Sequence, residues 1–559
     1  MADDVIADEQ AIAAPDWPLR PWVLAGMLGL AGLLIHFVTH ENEQVAWRIA
    51  VAAFLFFGSL GAVFTIERDR WKEPSVFALV IGLVMAGLAW RAVSYGEHLP
   101  DEQYGFASGC VATALALPLF QAGFLRTRFR TPYADIYQHI WTDGISAAGA
   151  LAFTGLSWVV LAVVSQLFLL LKIDLLRDLM NDGWFGWTYS GVAFGAALGV
   201  LRNQLKVLAM LRTVVLLVLS LIAVPLAVGL VIFLLATAIS GPSVLWENTR
   251  QATPTLLACA AGAFVLTCVL VRQDDAAMSH SRVMRVAALV LAIVILPLAV
   301  FAAVSLGLRL NQYGLAPERL WGLVTVIVAC AWGLGYWGAL LRGRKAGWAQ
   351  RLREANFILA VATCVLALLL ALPILDFGRI SAGNQVHRLE SGRVAPEKFD
   401  FAALRWDFGD AGRRALARLA KSPRKAIAER AQTALRQSER VYGPQADIRT
   451  ADEVPVTVQP NDPALRRLVT DFLVADRWRC RERCVALDIG QGPDGRRRVA
   501  LVEGAGYQVF LLGEGKPATA EPETAPAPVA MTASSKVEIR EMPKRYIVID
   551  GKPVGPPLD

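Results

Sequence analysis

From Ala355 to Leu375 the chain carries no charged residue, and Asp376 and Arg379 follow at once. At a rise of about 1.5 Å per residue, about 20 such residues cross a hydrocarbon core of about 30 Å. Backbone inside that core must satisfy its own hydrogen bonds, which a helix does. The stretch is the last of a series. Apolar runs recur near 21–38, 49–66, 75–90, 105–124, 145–171, 184–201, 213–239, 253–271, 286–308, 320–341 and 355–377. The pattern predicts an all-α polytopic membrane bundle of about eleven transmembrane helices over 20–377.

Only 18% of the residues are charged and 55% are hydrophobic, where a soluble chain carries about 25% charged residues. The net charge of +7 does not point to nucleic acid, because the basic residues before Phe377 sit mainly in short loops between apolar runs. Residues 1–19 hold Asp3, Asp4, Asp8, Glu9 and Asp16 and no basic residue before Arg20. That is no cleavable signal peptide; it reads as a disordered lead into a first span acting as signal anchor.

Lys and Arg near span ends are retained in the cytoplasm. The loops after the second, fourth, sixth, eighth and tenth runs hold Arg68, Arg70 and Lys72; Arg126, Arg128 and Arg130; Arg202, Lys206 and Arg212; Arg272, Arg282 and Arg285; and Arg342, Arg344, Lys345, Arg351 and Arg353. The intervening loops are poorer in them. This alternation predicts a cytoplasmic N-terminus and a C-terminal part on the opposite side. The sixth run, GWFGWTYSGVAFGAALGVL, is short and rich in Gly, but removing it would put the most basic loop outside. Its Gly191, Gly195 and Gly199 form one small-residue face that suits a tight contact between helices.

Between the fourth and fifth runs, Tyr133, Ile136, Tyr137, Ile140 and Trp141 repeat at helical spacing, which predicts an amphipathic helix lying at the membrane interface. His139 falls on its polar face. Prolines at 118, 225, 297 and 373 are expected to kink their helices. His36 and Arg91 lie near span ends, and no carboxylate or histidine is expected at mid-depth, where ion-coupled transporters place them.

From about Thr131 to Leu389 the order of features is specific: Trp141, FTGLSWVVLAVVSQLF, SGVAFGAALGVLR, the loop SGPSVLW, a basic linker, a Pro-bearing span, and LNQYGLAPERLWG. This resembles a family of polytopic bacterial inner-membrane proteins classed as a domain of unknown function. Tyr313, Gly314, Leu315 and Arg319 match that family's Tyr-Gly-Leu-Thr-x-x-Arg element, with Ala316 in place of Thr, and NQVHRLESGRV (384–394) resembles its segment after the last span. The resemblance implies a bacterial inner membrane and supplies no activity; taken with the loop charges, the C-terminal domain is then expected in the periplasm. The binding candidates are Trp246, Tyr313, Glu318 and Arg319. Against them stands a plainer reading of 313–319 as a structural turn, with Pro317 in the first turn of a helix and Glu318 at its positive end.

After Phe377 the composition becomes charged and mixed, which predicts a small soluble α+β domain over 378–559. Helices are expected at 410–420 and 423–441, and another with Asp462 as N-cap and Pro463 at its first position. Strands are expected at VALDI, RRVALVE and YQVFLLG, a disordered linker near 513–535, and a final hairpin of KVEIREM with RYIVID. Arg477, Arg479, Arg481, Arg483 and Arg496 to Arg498 form a basic patch, read as a solvated face or a contact with anionic head groups. Cys480 and Cys484 flank a turn between helix and strand, and in an oxidising compartment they are candidates for a disulfide. The other cysteines lie within apolar runs.

No GxSxG, HExxH, CxxC or P-loop pattern occurs, and the six histidines do not cluster in sequence. No cofactor or metal is expected, and an enzyme is disfavoured. The favoured reading is a non-enzymatic inner-membrane protein, in contact with membrane lipids, presenting a periplasmic module to an envelope partner. The alternative is a transporter or flippase for a lipid or hydrophobic substrate, and the second alternative a membrane-embedded enzyme acting on a lipid-linked substrate.

Overall fold

Each apolar run folds as a helix: α1 (Arg20–Thr39), α2 (Ala46–Thr65), α3 (Lys72–Tyr95), α4 (Glu102–Gln121), α5 (Tyr133–Leu170), α6 (Gly183–Asn203), α7 (Leu205–Ser240), α8 (Ala252–Val271), α9 (Arg282–Tyr313), α10 (Pro317–Gly343) and α11 (Trp348–Ala371). The computed structural model describes residues 17–40, 45–100, 102–241, 252–343, 347–437, 440, 454–476, 479–480, 484–492, 495–503, 506–513, 518–519, 545–549 and 552–558. Among the described residues ten helices are long and apolar enough to cross a membrane. Leu151, Leu156, Val159, Val160 and Val163 of α5 and Leu217, Leu221, Val228 and Ile232 of α7 stand exposed in rows. Such faces are unfavourable in water and ordinary in lipid. The chain is therefore a multi-pass membrane protein. At its centre is α9, where Leu291, Ala292, Leu298, Ala299 and Ala302 are fully buried among α7, α8, α10 and α11.

Helix α6 falls short of that apolarity, since Gly, Ser, Thr and aromatic residues fill its sequence. It nevertheless runs antiparallel to α1 along the whole length of that helix. A Cβ placed at Gly199 would lie 2.5 Å from Pro21 Cα, one at Gly195 2.7 Å from Leu24 C, and one at Gly191 2.7 Å from Leu28 C. At the far end Gly183 faces His36. The expected small-residue face is thus a backbone-to-backbone contact that any side chain would prise open.

Two expectations about the spans are corrected. The amphipathic segment at 133–141 is not a separate interfacial helix. It is the first part of α5, which has 38 residues and is ~57 Å long, far more than one crossing needs. Ile136 and Tyr137 are buried, and Ile136 packs with Leu119, Phe357 and Val361, so this part of the apolar face meets protein, whereas Ile140 is exposed. Pro118, Pro225 and Pro297 lie within α4, α7 and α9, but Pro373 lies past the end of α11 and bends no span.

After α11 come α12 (Phe377–Glu390), α13 (Phe401–Trp406), α14 (Gly409–Leu419) and α15 (Lys425–Arg436). Packing divides the chain into one unit of Met1–Arg393 with Phe401–Arg440 and a second of Val394–Asp400 with Val441–Asp559. The apolar spans thus end near Phe377, but the unit they belong to extends to Arg440. His98 Nδ1 lies 2.9 Å from Asp410 Oδ1, tying the turn after α3 to the start of α14.

The second unit holds a five-stranded sheet in the order β1 (Val456–Gln459), β2 (Cys484–Gln491), β3 (Arg497–Glu503), β4 (Gly506–Leu512), β5 (Ala518–Thr519). Strand β1 is parallel to β2, with α16 (Pro463–Ala475) as the crossover, and the other pairs are antiparallel. Asp462 caps α16 as expected, Oδ1 accepting from Ala464 N at 2.9 Å. Leu465, Val469 and Leu473 of α16 cover Ala486, Val499, Leu501 and Phe510. The final hairpin differs from the expectation: β6 (Arg545–Ile549) pairs with β7 (Lys552–Leu558), and KVEIREM lies outside the described residues. Only the two residues 550–551 separate these strands, so the short connection selects the partner. The expected linker falls largely outside the described residues, as do residues 1–16.

Candidate functional site

At the end of the bundle that carries the basic loops, α2, α3, α4, α5, α6 and α11 enclose a cleft of about 790 Å³. One wall is apolar. The first turns of α3 supply Val76, Phe77 and Val80, α4 supplies Phe120, and α11 supplies Val361 and Val365. Phe77 and Phe120 stack face to face, centroids 4.0 Å apart, and stiffen that wall. Val76, Val80 and Val365 are exposed on spanning helices, so the cleft opens sideways toward lipid.

Its mouth is basic. Arg70 and Lys72 come from the loop before α3, and Arg126 from the helical turn Phe124–Thr127 after α4. Arg126 Nη2 donates to both carboxylate oxygens of Glu73, at 2.5 and 2.6 Å. Glu67 also lines the cleft.

Its floor is polar and lies where α2 ends. Gln121 Nε2 donates to Phe64 O at 2.8 Å and Arg202 Nη1 to Val63 O at 2.7 Å, satisfying carbonyls in the last turn of α2. His139 joins them on the cleft surface. Asp143 follows His139 by one turn of α5, on the same face, and is 8% exposed. Its carboxylate is close enough to Arg202, Gln121 and His139 to interact with each. Among the described residues Asp143 Oδ2 and Gln121 Oε1 have no hydrogen-bond donor.

Among the described residues, Tyr313, Glu318 and Arg319 do not line this cleft. Tyr313 and Arg319 form part of a joint: Arg319 lies 5.4 Å over the Tyr313 ring and donates to Gly314 O at 2.7 Å. Across from them Asn384 Oδ1 accepts from Leu315 N at 3.0 Å, and Gln385 Nε2 donates to Tyr313 O and Leu315 O at 2.9 and 2.8 Å. Residues 313–319 and the segment beginning at Asn384 are thus the two halves of one clasp between α9 and α12. Glu318 is exposed in the first turn of α10. Trp246 lies outside the described residues. In the second unit Cys480 and Cys484 are at disulfide distance with Cα atoms 5.4 Å apart. The basic patch there is partly neutralised, Arg479 by Asp476 at 2.8 Å and Arg497 by Asp462 at 2.7 Å.

A second polar group, buried between α5, α8, α10 and α11, also escaped the sequence reading. Tyr336 Oη donates to Asn356 Oδ1 at 2.6 Å, and Asn356 Nδ2 to Tyr133 Oη at 3.2 Å. Buried Arg353 donates to Val271 O at 2.9 Å and Arg272 O at 3.2 Å and pairs with Asp275 at 2.8 Å. These groups satisfy one another and cap α8, which marks a structural joint. Among the described residues no cluster of His, Cys, Asp or Glu is placed to hold a metal ion.

Fold and cleft together define a polytopic membrane protein with a basic-mouthed groove open to the bilayer. Residues 49–419 match the family described as "Domain of unknown function (DUF4153)", and the chain belongs to it. No curated protein and no solved structure matches the chain.

Proposed function

We propose that this protein sits in the bacterial inner membrane with its basic loops in the cytoplasm and binds a phosphate-bearing lipid in the cleft between α3, α4 and α11. The observation that carries this reading is the cleft itself: cationic residues border an apolar wall open to the bilayer, the arrangement an amphiphile requires. Acyl chains lie along Val76, Val80 and Val365, and the phosphate meets Arg70 and Lys72. Among the readings open to the sequence, this favours lipid handling.

The antiparallel course of α6 beside α1 supports counting α6 as a crossing, and an odd number of crossings with the basic loops inside supports a periplasmic position for the sheet-bearing unit. There it forms a separate compact unit available to an envelope partner, a second role compatible with the first.

Native mass spectrometry of the purified full-length protein tests lipid binding. The wild type is expected to retain phospholipid through mild activation, and the double variant Arg70→Glu, Lys72→Glu to lose it. Equal retention by both would overturn the site. Alkaline phosphatase fused after Gly392 is expected to be active, and a fusion active only as a cytoplasmic reporter would overturn the orientation.

A further inference from the structure

At the end of the bundle away from the basic loops, α3, α4, α10, α11, α12 and α14 enclose a second cavity, of about 240 Å³, lined by Arg91, His98, Asp376 and Asp410 among others. His98 Nδ1 lies 2.9 Å from Asp410 Oδ1. A carboxylate ionised at neutral pH only accepts, so Nδ1 carries the ring hydrogen and Nε2 the lone pair. That is the tautomer a general base needs. Close backbone contacts hold the pair in place: a Cβ at Gly409, whose φ is +57°, would press on His98 O, and one at Gly378 would lie 2.5 Å from Phe408 O. The His98 side chain is 54% exposed, so water reaches it. Arg91 Nη1 donates to Ala371 O at 3.4 Å, which engages one of the five guanidinium N–H groups. A base, the carboxylate that orients it and a cation thus share one cavity.

We propose that this cavity hydrolyses a carboxylic ester, with water as the nucleophile, His98 as the general base, Arg91 as the cation that holds the oxyanion, and Asp410 as a positioning residue. Water loses a proton to His98 Nε2 as its oxygen bonds the carbonyl carbon, and the negative charge that develops on the carbonyl oxygen meets the Arg91 guanidinium. The bond from carbon to the alcohol oxygen then breaks, and that oxygen takes the proton back from His98, leaving a carboxylic acid and an alcohol. Among the described residues lining the cavity there is no Ser, Cys or Thr, so water is the nucleophile. The lining also sets the substrate class. Asp376 and Asp410 repel an anion such as a phosphate monoester, whereas a neutral ester meets no such cost, and Leu372, Leu375 and Phe377 offer an apolar side to its acyl part. The site is separate from the basic-mouthed cleft and does not depend on lipid bound there.

The test assays full-length protein in detergent with p-nitrophenyl butyrate, and full-length protein reconstituted in phosphatidylglycerol vesicles whose acyl chains carry a fluorophore. Every variant is assayed below its melting temperature. Wild type is expected to turn over the soluble ester with saturation kinetics. His98→Asn, which keeps a donor toward Asp410 but lacks the base, is expected to lower kcat about 10²-fold or more. Arg91→Gln is expected to lower it to a similar extent. Asp410→Asn is expected to lower kcat at least about tenfold with KM unchanged, a split that a merely structural contact would not produce in folded protein. Release of labelled fatty acid from the vesicles would assign a membrane lipid as the source of the ester, and turnover of the soluble ester alone would assign a soluble one. No turnover of either ester by wild type, or an unchanged kcat in His98→Asn and Arg91→Gln, would overturn the site. If His98→Asn fails to fold, Arg91→Gln decides.

Discussion

Arg388 of α12 donates from both terminal nitrogens to the last turn of α9, Nη2 to Gln312 O at 2.7 Å and Nη1 to Asn311 O at 2.9 Å. A helix leaves its last carbonyls without intrahelical partners and concentrates partial negative charge there, so a forked cation satisfies both needs. With Gln385 and Asn384 it closes the clasp over Gly314, whose φ of +76° and lack of a side chain let Gln385, Arg388 and Asn384 approach.

Arg388→Ala is expected to destabilise the bundle by about 2–3 kcal/mol, since charged donors to buried carbonyls are lost. Arg388→Lys should not restore it, because an ammonium cannot reproduce the planar fork. Tryptophan-fluorescence melting in detergent checks this, and wild-type melting of the alanine variant would contradict the clasp.

Gly195→Ala is expected to destabilise by about 1–3 kcal/mol through forced separation of α1 and α6. The added methyl group would lie against Leu24 C and Ala25 N, at 2.7 and 2.8 Å, both backbone atoms with no rotamer to yield. Melting temperature and yield of the detergent-extracted variant read the effect, and unchanged values would contradict the close contact.

The spans were legible in the sequence because one requirement, about 20 apolar residues, dominates every other signal in a bilayer. Even weak α6 was legible, through loop charge and the spacing of Gly191, Gly195 and Gly199. The cleft was not. Gln121, Asp143 and Arg202 stand at span ends, where polar residues are ordinary, and nothing local in the chain says that three different helices bring them together. The available signal was His139, which lines the cleft from the helix bearing buried Ile136 and Tyr137. For Tyr313 and Arg319 the plainer reading as a structural turn is the one the contacts support, since their segment forms the clasp with Gln385 and Arg388.

The His98–Asp410 contact carries a pH dependence. The hydrogen bond from His98, with Arg413 nearby, holds the Asp410 carboxyl below its ordinary value. A depressed carboxylate stabilises the fold above the unfolded pKa, near 4, and that contribution disappears as pH falls through the folded value. Asp410→Asn is therefore expected to lower melting temperature at pH 7 and to flatten its fall below about pH 4. Parallel wild-type and variant profiles would contradict it.

Cys480 and Cys484 should resist alkylation in the denatured protein until reductant is added, if trapped in intact cells. A loop this short is worth at most about 2–3 kcal/mol, so reduction should loosen the second unit without unfolding the bundle. Labelling of both residues without reductant would contradict the bond and the oxidising compartment.

The account turns on where lipid meets the protein, and a phospholipid with a photoreactive group on its acyl chain, crosslinked in native membranes and mapped by peptide mass spectrometry, measures this most directly. Adducts are expected to concentrate on the segments carrying Val76 to Val80 and Val361 to Val365, and to fall in Arg70→Glu, Lys72→Glu. Adducts spread evenly over the exposed faces of α5 and α7 as well, and unchanged in the variant, would contradict the cleft as a lipid site.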